Sequence, residues 1–173
     1  IFLDLKLHDI PNTVEKGIKA IEKLSPKFTT IHISGGDDMQ KSTYSKKNRK
    51  LKILGVSILT SLNSLQTKKY YNEPNVEKLV TKFVKNAYKN KLDGIVCSPL
   101  EIKTARKIAG KKLIIVVPGI RPDNYTKKND DQKRTISAKE AIRLGADYLV
   151  IGRPITKSKN PLKTIKQLNK SII

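Results

Sequence analysis

Six short runs of apolar and β-branched residues recur along the chain, and between them lie stretches in which apolar residues stand three or four positions apart. The runs cover residues 1–5, 28–33, 51–59, 93–97, 112–117 and 147–152. Strands that alternate with helices at intervals of roughly 30 residues predict a parallel α/β protein. Because the runs are apolar almost throughout, we expect both faces of the sheet to be covered.

Periodicity and terminal residues locate several helices. Apolar positions three and four apart predict helices around 14–21, 76–87 and 102–108. Pro11 or Asn12 can begin the first of them. Ser137, with Glu140 three residues later, has the pattern of a capping box, and Gly145 suits the end of that helix.

The strand and helix pattern leaves two architectures open, a doubly wound sheet and a (β/α)8 barrel. A complete barrel usually needs about 250 residues and at least about 200, whereas this chain has 173. The sequence also opens within a strand and without Met. If the fold is a barrel, we expect about two βα units to be missing upstream.

Charge is the most unusual feature of the composition. Lys and Arg number 36 against 15 Asp and Glu, for a formal net charge of +21, which attracts anions. The chain is also rich in Ile and Asn, so much of the lysine is explained by compositional drift on solvated faces. Aromatic residues are only 5%, which disfavours single-stranded nucleic acid as a partner, since its bases need stacking platforms.

Other features bear on location. No run of about 18 apolar residues is present to span a bilayer, and no signal peptide is visible. The single cysteine excludes an internal disulfide and fits a reducing compartment. We therefore expect a cytoplasmic protein that does not contact membranes.

The opening segment "IFLDLKLHDIPNTV" carries the most distinctive candidate chemistry. Residues two apart point to one face of a strand, so Asp4 and Lys6 project together, with His8 and Asp9 in the loop that follows. In a barrel these groups would face the interior at the carboxyl end of the strand, where such enzymes keep their active sites. An ion pair that only plugs the barrel end is the structural alternative. The alternate side chains would point toward the covering helices, namely Leu3, Leu5 and Leu7.

Two later segments have the chemistry of an anion site. In "VVPGIRP", Gly119 allows close backbone approach and Arg121 offers a planar fork of donors, followed by a polar loop with Gln132. In "YLVIGRPIT", a strand ends at Gly152 and Arg153 begins a helical turn. The loops after the last two strands of a barrel frequently hold a phosphate. An ordinary proline-glycine turn with a surface arginine is the alternative for the first segment.

Lesser candidates are weaker when taken alone. Thr60 stands just past a strand, where its hydroxyl can contact a polar ligand. His8 has no second imidazole at ligand spacing, so no metal site is predicted. His32 and Cys97 are expected to be core residues.

The segments "FLDLKLHDIPNT", "GVSILTS", "VVPGIRP" and "YLVIGRPIT" resemble, in order, motifs of the orotidine 5′-phosphate decarboxylase family. The resemblance implies a (β/α)8 barrel that acts as a homodimer without metal or organic cofactor. It also implies that residues 1–173 form a single barrel domain, incomplete at its N-terminus, that covers about the last six βα units. Because the first two family strands carry further active-site residues, the isolated segment is expected to be inactive or poorly folded.

The resemblance assigns roles by position. Asp4 and Lys6 match the family's charged array, and Asp9 matches the Asp that enters the neighbouring subunit's site. Ile10 and Thr13 match residues that accompany it across the interface. Thr60 and Pro118 match residues around the pyrimidine ring, and Gln132 matches a side chain that bridges ring and phosphate. The positions on the phosphate side are Arg121, Gly152 and Arg153.

The resemblance implies conversion of orotidine 5′-phosphate to UMP and CO2 in de novo pyrimidine biosynthesis, with Lys6 as proton donor. Three alternatives remain open. One is a sugar-phosphate lyase or synthase on the same barrel, which usually needs a metal. The others are a polyanion-binding protein that uses the +21 charge and an inactive remnant.

Overall fold

A computed structural model of the chain describes residues 1–44, 50–122 and 135–172. Its strands are Phe2–Leu7 (β1), Phe28–His32 (β2), Lys52–Val56 (β3), Gly94–Val96 (β4), Ile114–Val117 (β5) and Tyr148–Leu149 (β6). Its helices are Pro11–Glu22 (α1), Gly36–Ser42 (α2), Ser64–Tyr71 (α3), Val76–Lys89 (α4), Ile102–Ala109 (α5), Ala138–Leu144 (α6), Arg153–Thr156 (α7) and Pro161–Ser171 (α8). Within these described ranges, no helix has the length and apolar character needed to cross a bilayer.

Strand order decides between the two predicted architectures. The strands follow one another across the sheet as β1-β2-β3-β4-β5-β6, and every neighbouring pair is parallel. A doubly wound sheet reverses its strand order at a switch point, whereas a (β/α)8 barrel runs in sequence. The sheet therefore has barrel topology, and the prediction of six successive βα units is confirmed.

Contacts across the concave side show that the sheet curls. The rings of Phe28 in β2 and Tyr148 in β6 pack edge to face with centroids 5.0 Å apart. Lys27 Nζ, next to β2, lies 2.9 Å from the Tyr148 hydroxyl. Three strands separate β2 from β6 in the sheet. The two can meet only because the sheet bends into part of a barrel.

Apolar residues on the two sides of the sheet form separate clusters. The larger cluster joins the outer faces of the strands to the helices and extends from Val14 to Leu168. A smaller one, around Phe28, Leu54 and Val116, fills the inside of the curl. Cys97 is 2% exposed within the larger cluster, as predicted for a core residue, and burial raises the pKa of its thiol.

Helix ends follow the sequence signals closely. α1 begins at Pro11, as predicted. Ser137 Oγ accepts a hydrogen bond from Glu140 N at 3.3 Å, and Gly145, with φ +109°, caps the C-terminal end of α6. The Glu140 carboxylate binds the Arg143 guanidinium, at 2.6 Å from Nε. The serine cap is thus confirmed, while the acidic residue makes an ion pair along the helix.

The opening strand departs from the predicted regular alternation. Pairing with β2 shifts register between Leu3 and Leu7, and Lys6 takes a left-handed backbone conformation with φ +52°. Leu3 and Leu7 pack against the main cluster as expected, but the Leu5 side chain is 50% exposed. The prediction that covering helices bury Leu5 is therefore wrong, and the residue lies where the pairing of the edge strand β1 with β2 is irregular.

Candidate active site

Asp4 and Lys6 form an ion pair at the carboxyl end of β1. Lys6 Nζ lies 2.6 Å from Asp4 Oδ2, and the two side chains are 41% and 45% exposed. The predicted projection of both groups to one side is therefore present in the structure. A cation beside a carboxylate at a solvent-accessible rim can meet a small anionic ligand.

A third residue, Thr30 of β2, joins the two partners. Its side chain is fully buried; Oγ1 accepts a hydrogen bond from Lys6 N at 2.9 Å and donates one to Asp4 Oδ1 at 2.7 Å. Asp4 thus uses one carboxylate oxygen for Thr30 and the other for the ammonium. Sequence analysis missed Thr30. Thr30 lies two residues from both Phe28 and His32 and therefore shares their face of β2, which was the available indication that it lies beside the site.

Two imidazoles stand together beside this pair. The rings of His8 and His32 have centroids 5.3 Å apart. His32 is only half-buried, and burial, then the neighbouring His8 and Lys6, lower its pKa below the usual value. His32 therefore favours its neutral form next to the ammonium, and it lines the site more than it fills the core. Across the described ranges, no group of three or more His, Cys, Asp or Glu side chains is arranged to hold a metal ion.

The residues that follow β1 lie on the surface of the single chain. Asp9 Oδ1 accepts a hydrogen bond from Ile10 N at 2.6 Å, which fixes the carboxylate at the start of α1. Asp9, Ile10 and Thr13 are all exposed, and Ile10 is 66% exposed. An apolar side chain left this open beside a carboxylate suits contact with another molecule.

The loop after β5 buries its arginine. Pro118 is half-buried, and Gly119 takes φ +77°, a conformation that glycine adopts without strain. Arg121 is only 7% exposed; its backbone N–H donates to Ile136 O at 2.9 Å and its Nη1 donates to Ile120 O at 2.9 Å. The guanidinium is therefore held against the loop.

The turn after β6 places a second guanidinium near the surface. Gly152 precedes α7, and its carbonyl accepts from the backbone N–H of Ile155 at 2.9 Å and of Thr156 at 3.1 Å. Arg153 is the first residue of that short helix and is half-buried. Thr60, in the turn after β3, is also half-buried. Gln132 lies outside the described residues.

Parallel topology gives these groups a common edge. Lys6, Thr60, Pro118 and Gly152 each stand at or just beyond the carboxyl end of a strand. Those ends form one rim in a parallel barrel, and enzymes of this architecture build their sites there. The rim thus joins a carboxylate-bound ammonium to two loops with arginine.

Comparison with known proteins identifies the family of the chain. The family model described as "Orotidine 5'-phosphate decarboxylase / HUMPS family" matches residues 1–168. A protein named orotidine 5′-phosphate decarboxylase from Ehrlichia canis is 47% identical over 174 residues, which cover 99% of this chain and 75% of that protein. One of the same name from a Wolbachia of Culex pipiens is 44% identical, with the same coverage of both chains.

A solved structure shows the same fold. The crystal structure of orotidine 5′-phosphate decarboxylase from Lactobacillus acidophilus superimposes with a TM-score of 0.82 at 35% identity. The match covers 99% of this chain and 75% of that one. Sequence and fold agree over nearly the whole chain, and the chain belongs to the orotidine 5′-phosphate decarboxylase / HUMPS family.

Proposed function

We propose that the protein is an orotidine 5′-phosphate decarboxylase, which converts orotidine 5′-phosphate to UMP and CO2 in pyrimidine biosynthesis. The observation that carries the proposal is the Asp4–Lys6 ion pair at the carboxyl end of β1. Family membership and the names of the reported relatives support it. In this proposal the enzyme acts in the cytoplasm, and an ammonium group does the electrostatic work without a metal or an organic cofactor.

Lys6 is the proposed catalytic residue. Loss of CO2 from the pyrimidine leaves a pair of electrons on C6, where a preorganised cation can stabilise the developing negative charge. The ammonium then gives its proton to C6, which completes UMP. Asp4 holds that ammonium at 2.6 Å, so the cation is in place before the reaction begins.

A second subunit would complete the charged array. We propose a homodimer in which Asp9 of each copy reaches the other copy's site, with Ile10 and Thr13 in the interface. Support comes from the exposure of all three at the start of α1. The 66% exposed Ile10 side chain would lose its contact with water on dimerisation.

The remaining predicted residues would bind the rest of the nucleotide. Arg153 and Arg121 carry the positive charge for the phosphate, and Gly152 offers its backbone beside them. Thr60 and Pro118 would border the pyrimidine, and Gln132 would bridge ring and phosphate. Binding energy from a phosphate far from the reacting carbon can orient the base and hold loops closed.

The test is an assay of the full-length protein that contains these 173 residues, because the segment alone is expected to be inactive, with orotidine 5′-phosphate in the presence of EDTA. We expect UMP to form as fast with EDTA as without it. Ultraviolet absorbance gives the rate, and chromatography identifies the product. A matched Lys6→Ala variant should form none above background. Turnover only of a sugar phosphate, or only after addition of a divalent metal, would overturn the proposal in favour of a sugar-phosphate lyase or synthase on this barrel.

A further inference from the structure

The edge of the sheet opposite the candidate active site is strongly basic. Within the described residues, two carboxylates lie in the connections that lead from a helix into the next strand, those of Asp93 and Asp147. The same connections contain the lysines Lys23, Lys27, Lys50, Lys91, Lys111 and Lys112.

Both carboxylates of this edge are already engaged. Asp93 Oδ1 binds Lys52 Nζ at 3.0 Å, and its Oδ2 accepts a hydrogen bond from the backbone N–H of Ile53 in β3 at 2.9 Å. Asp147 is ion-paired with Arg106 and accepts from a backbone amide of β5 at 2.7 Å. Among the described residues, these two carboxylates therefore leave most of the lysines in the helix-to-strand connections without an ion-pair partner.

Part of this edge forms a cleft of about 620 Å³. Its polar lining comes from the amino ends of β3, β4 and β5 and the end of α4, and consists of Lys52, Tyr88, Lys89, Lys91, Asp93 and Lys112. That volume lies within the usual range for sites that hold small molecules. Lys52 is paired with Asp93 at 3.0 Å and Lys89 with Asp37 at 3.6 Å, so the other two lysines of the lining give the cleft a net positive charge that attracts anions.

Two of these lysines have no carboxylate partner in the part of the chain that the structure describes. Lys112 Nζ lies 2.8 Å from the Tyr88 hydroxyl. Lys91 Nζ stands over the Tyr44 ring, 5.7 Å from its centroid. Lys91 also takes a left-handed φ of +58° just beyond α4, where a glycine would be unstrained. Within the described residues, the Lys91 and Lys112 ammonium groups thus line one concave surface without a carboxylate paired to either of them.

We infer that this cleft is a second anion site, which binds a chain of linked phosphates. Lysine binds phosphate as a point charge, and two unbalanced ammonium groups in one cleft suit a ligand with at least two negative centres. Inorganic polyphosphate and the polyphosphate of a nucleotide share this chemistry. The inference is independent of the proposed decarboxylase, because none of the lining residues belongs to the carboxyl rim.

Calorimetric titration with inorganic tripolyphosphate tests the site. We expect saturable binding to the protein with one site per chain. Lys91→Gln/Lys112→Gln should weaken that binding roughly tenfold or more. The matched control is Lys163→Gln/Lys166→Gln on the exposed side of α8, which removes the same charge from a formal +21 and should change affinity by less than about twofold.

Each other result is decisive. Equal weakening in both double variants would assign binding to the general field of the protein and overturn the inference. An unchanged affinity in the cleft variant would place the ligand elsewhere, the candidate active site included, with the same consequence. A single-stranded oligonucleotide that binds increasingly tightly with length, and equally to both variants, would favour an extended nucleic-acid surface and also overturn it. If Lys91→Gln unfolds the chain, Lys91→Gly removes the same charge and suits the φ of +58°.

Discussion

The Thr30 hydroxyl donates a hydrogen bond of 2.7 Å to the Asp4 carboxylate, although its strand β2 begins more than 20 residues later in the chain. The same oxygen accepts the backbone N–H of Lys6 at 2.9 Å. One fully buried hydroxyl therefore sets the direction of the carboxylate and holds the backbone of the lysine beside it. In the proposed reaction Thr30 is a positioning residue, since it acts through Asp4 and Lys6.

Replacement of Thr30 by alanine should slow decarboxylation. The change leaves the Lys6 amide and one Asp4 oxygen without their partner, a loss of about 1–3 kcal/mol. If that loss falls on the transition state, kcat drops about tenfold to hundredfold while the KM for orotidine 5′-phosphate changes little. Thr30→Ser keeps the hydroxyl and should restore most of the rate. A serine variant as slow as the alanine variant would mean that the methyl group, rather than the hydrogen bonds, matters.

The left-handed backbone of Lys6 predicts an unusual order of stabilities. At a backbone φ of +52°, the Cβ of an alanine retains the steric strain that lysine has there, whereas glycine has no Cβ and relieves that strain. After allowance for the greater freedom of unfolded glycine, Lys6→Gly should be more stable than Lys6→Ala by about 0.5–1 kcal/mol. Urea unfolding measures this difference. At Lys166, within α8, the order should reverse.

Lys6 and Arg153 should affect different stages of the reaction. Lys6→Ala is expected to abolish turnover and yet keep much of the affinity for UMP, since the ammonium acts on the carbon that loses CO2. Arg153→Ala should weaken UMP binding by about tenfold or more, because a charged hydrogen bond to the phosphate is lost. Calorimetry with UMP, alongside the decarboxylation assay, separates the two effects. Equal losses of UMP affinity in both variants would contradict this division.

Two glycines near the site should respond oppositely to alanine. A Cβ on Gly35 would overlap Met39 Sδ and lie 3.2 Å from the His8 ring, and Met39 is fully buried. Gly35→Ala should therefore cost about 1–3 kcal/mol of stability. Gly17, inside α1, would place its Cβ 3.4 Å from Leu7, an ordinary contact. Gly17→Ala should stabilise the protein by about 0.5–1 kcal/mol in urea unfolding. Destabilisation by both changes would refute the packing argument.

The lowered pKa of His32 predicts acid sensitivity. Burial disfavours its charged form, so the folded protein binds fewer protons than the unfolded chain at pH values below the usual pKa of 6.5. The contribution of neutral His32 to the unfolding free energy is complete above about pH 6.5 and is lost progressively as the pH falls. Between pH 7.5 and 5.5, His32→Gln should therefore lose less unfolding free energy than the wild type. If urea titrations showed that the wild type and His32→Gln lose the same unfolding free energy between the two pH values, this role of His32 would be excluded.

Long-range topology was accessible from the sequence where the pattern was strong. Continuous apolar strands and the periodicity of helices such as α4 predicted the parallel sheet, because burial on both faces imposes those patterns. The choice of a barrel over a doubly wound sheet rested on family resemblance and needed the observed strand order. Pairing order depends on contacts between segments far apart, which local periodicity does not encode.

The charged groups of the site could be predicted from the sequence, but the residue that positions them through hydrogen bonds could not. Asp4 and Lys6 stand out because charges are rare in an apolar strand. Thr30 escaped notice because threonine is an ordinary strand residue, and its importance comes only from the partner strand. The exposed Leu5 was also missed, since a register shift between β1 and β2 has no local sequence mark.

The packing of Phe28 against Tyr148, with Lys27 bonded to the tyrosine, works as a tie between distant strands. It lies at the amino end of the sheet, whereas the proposed chemistry takes place at the carboxyl end. A smaller side chain at Tyr148 would remove this contact between β2 and β6. The spacing of these two strands therefore depends in part on side chains at the end of the sheet farthest from the proposed chemistry.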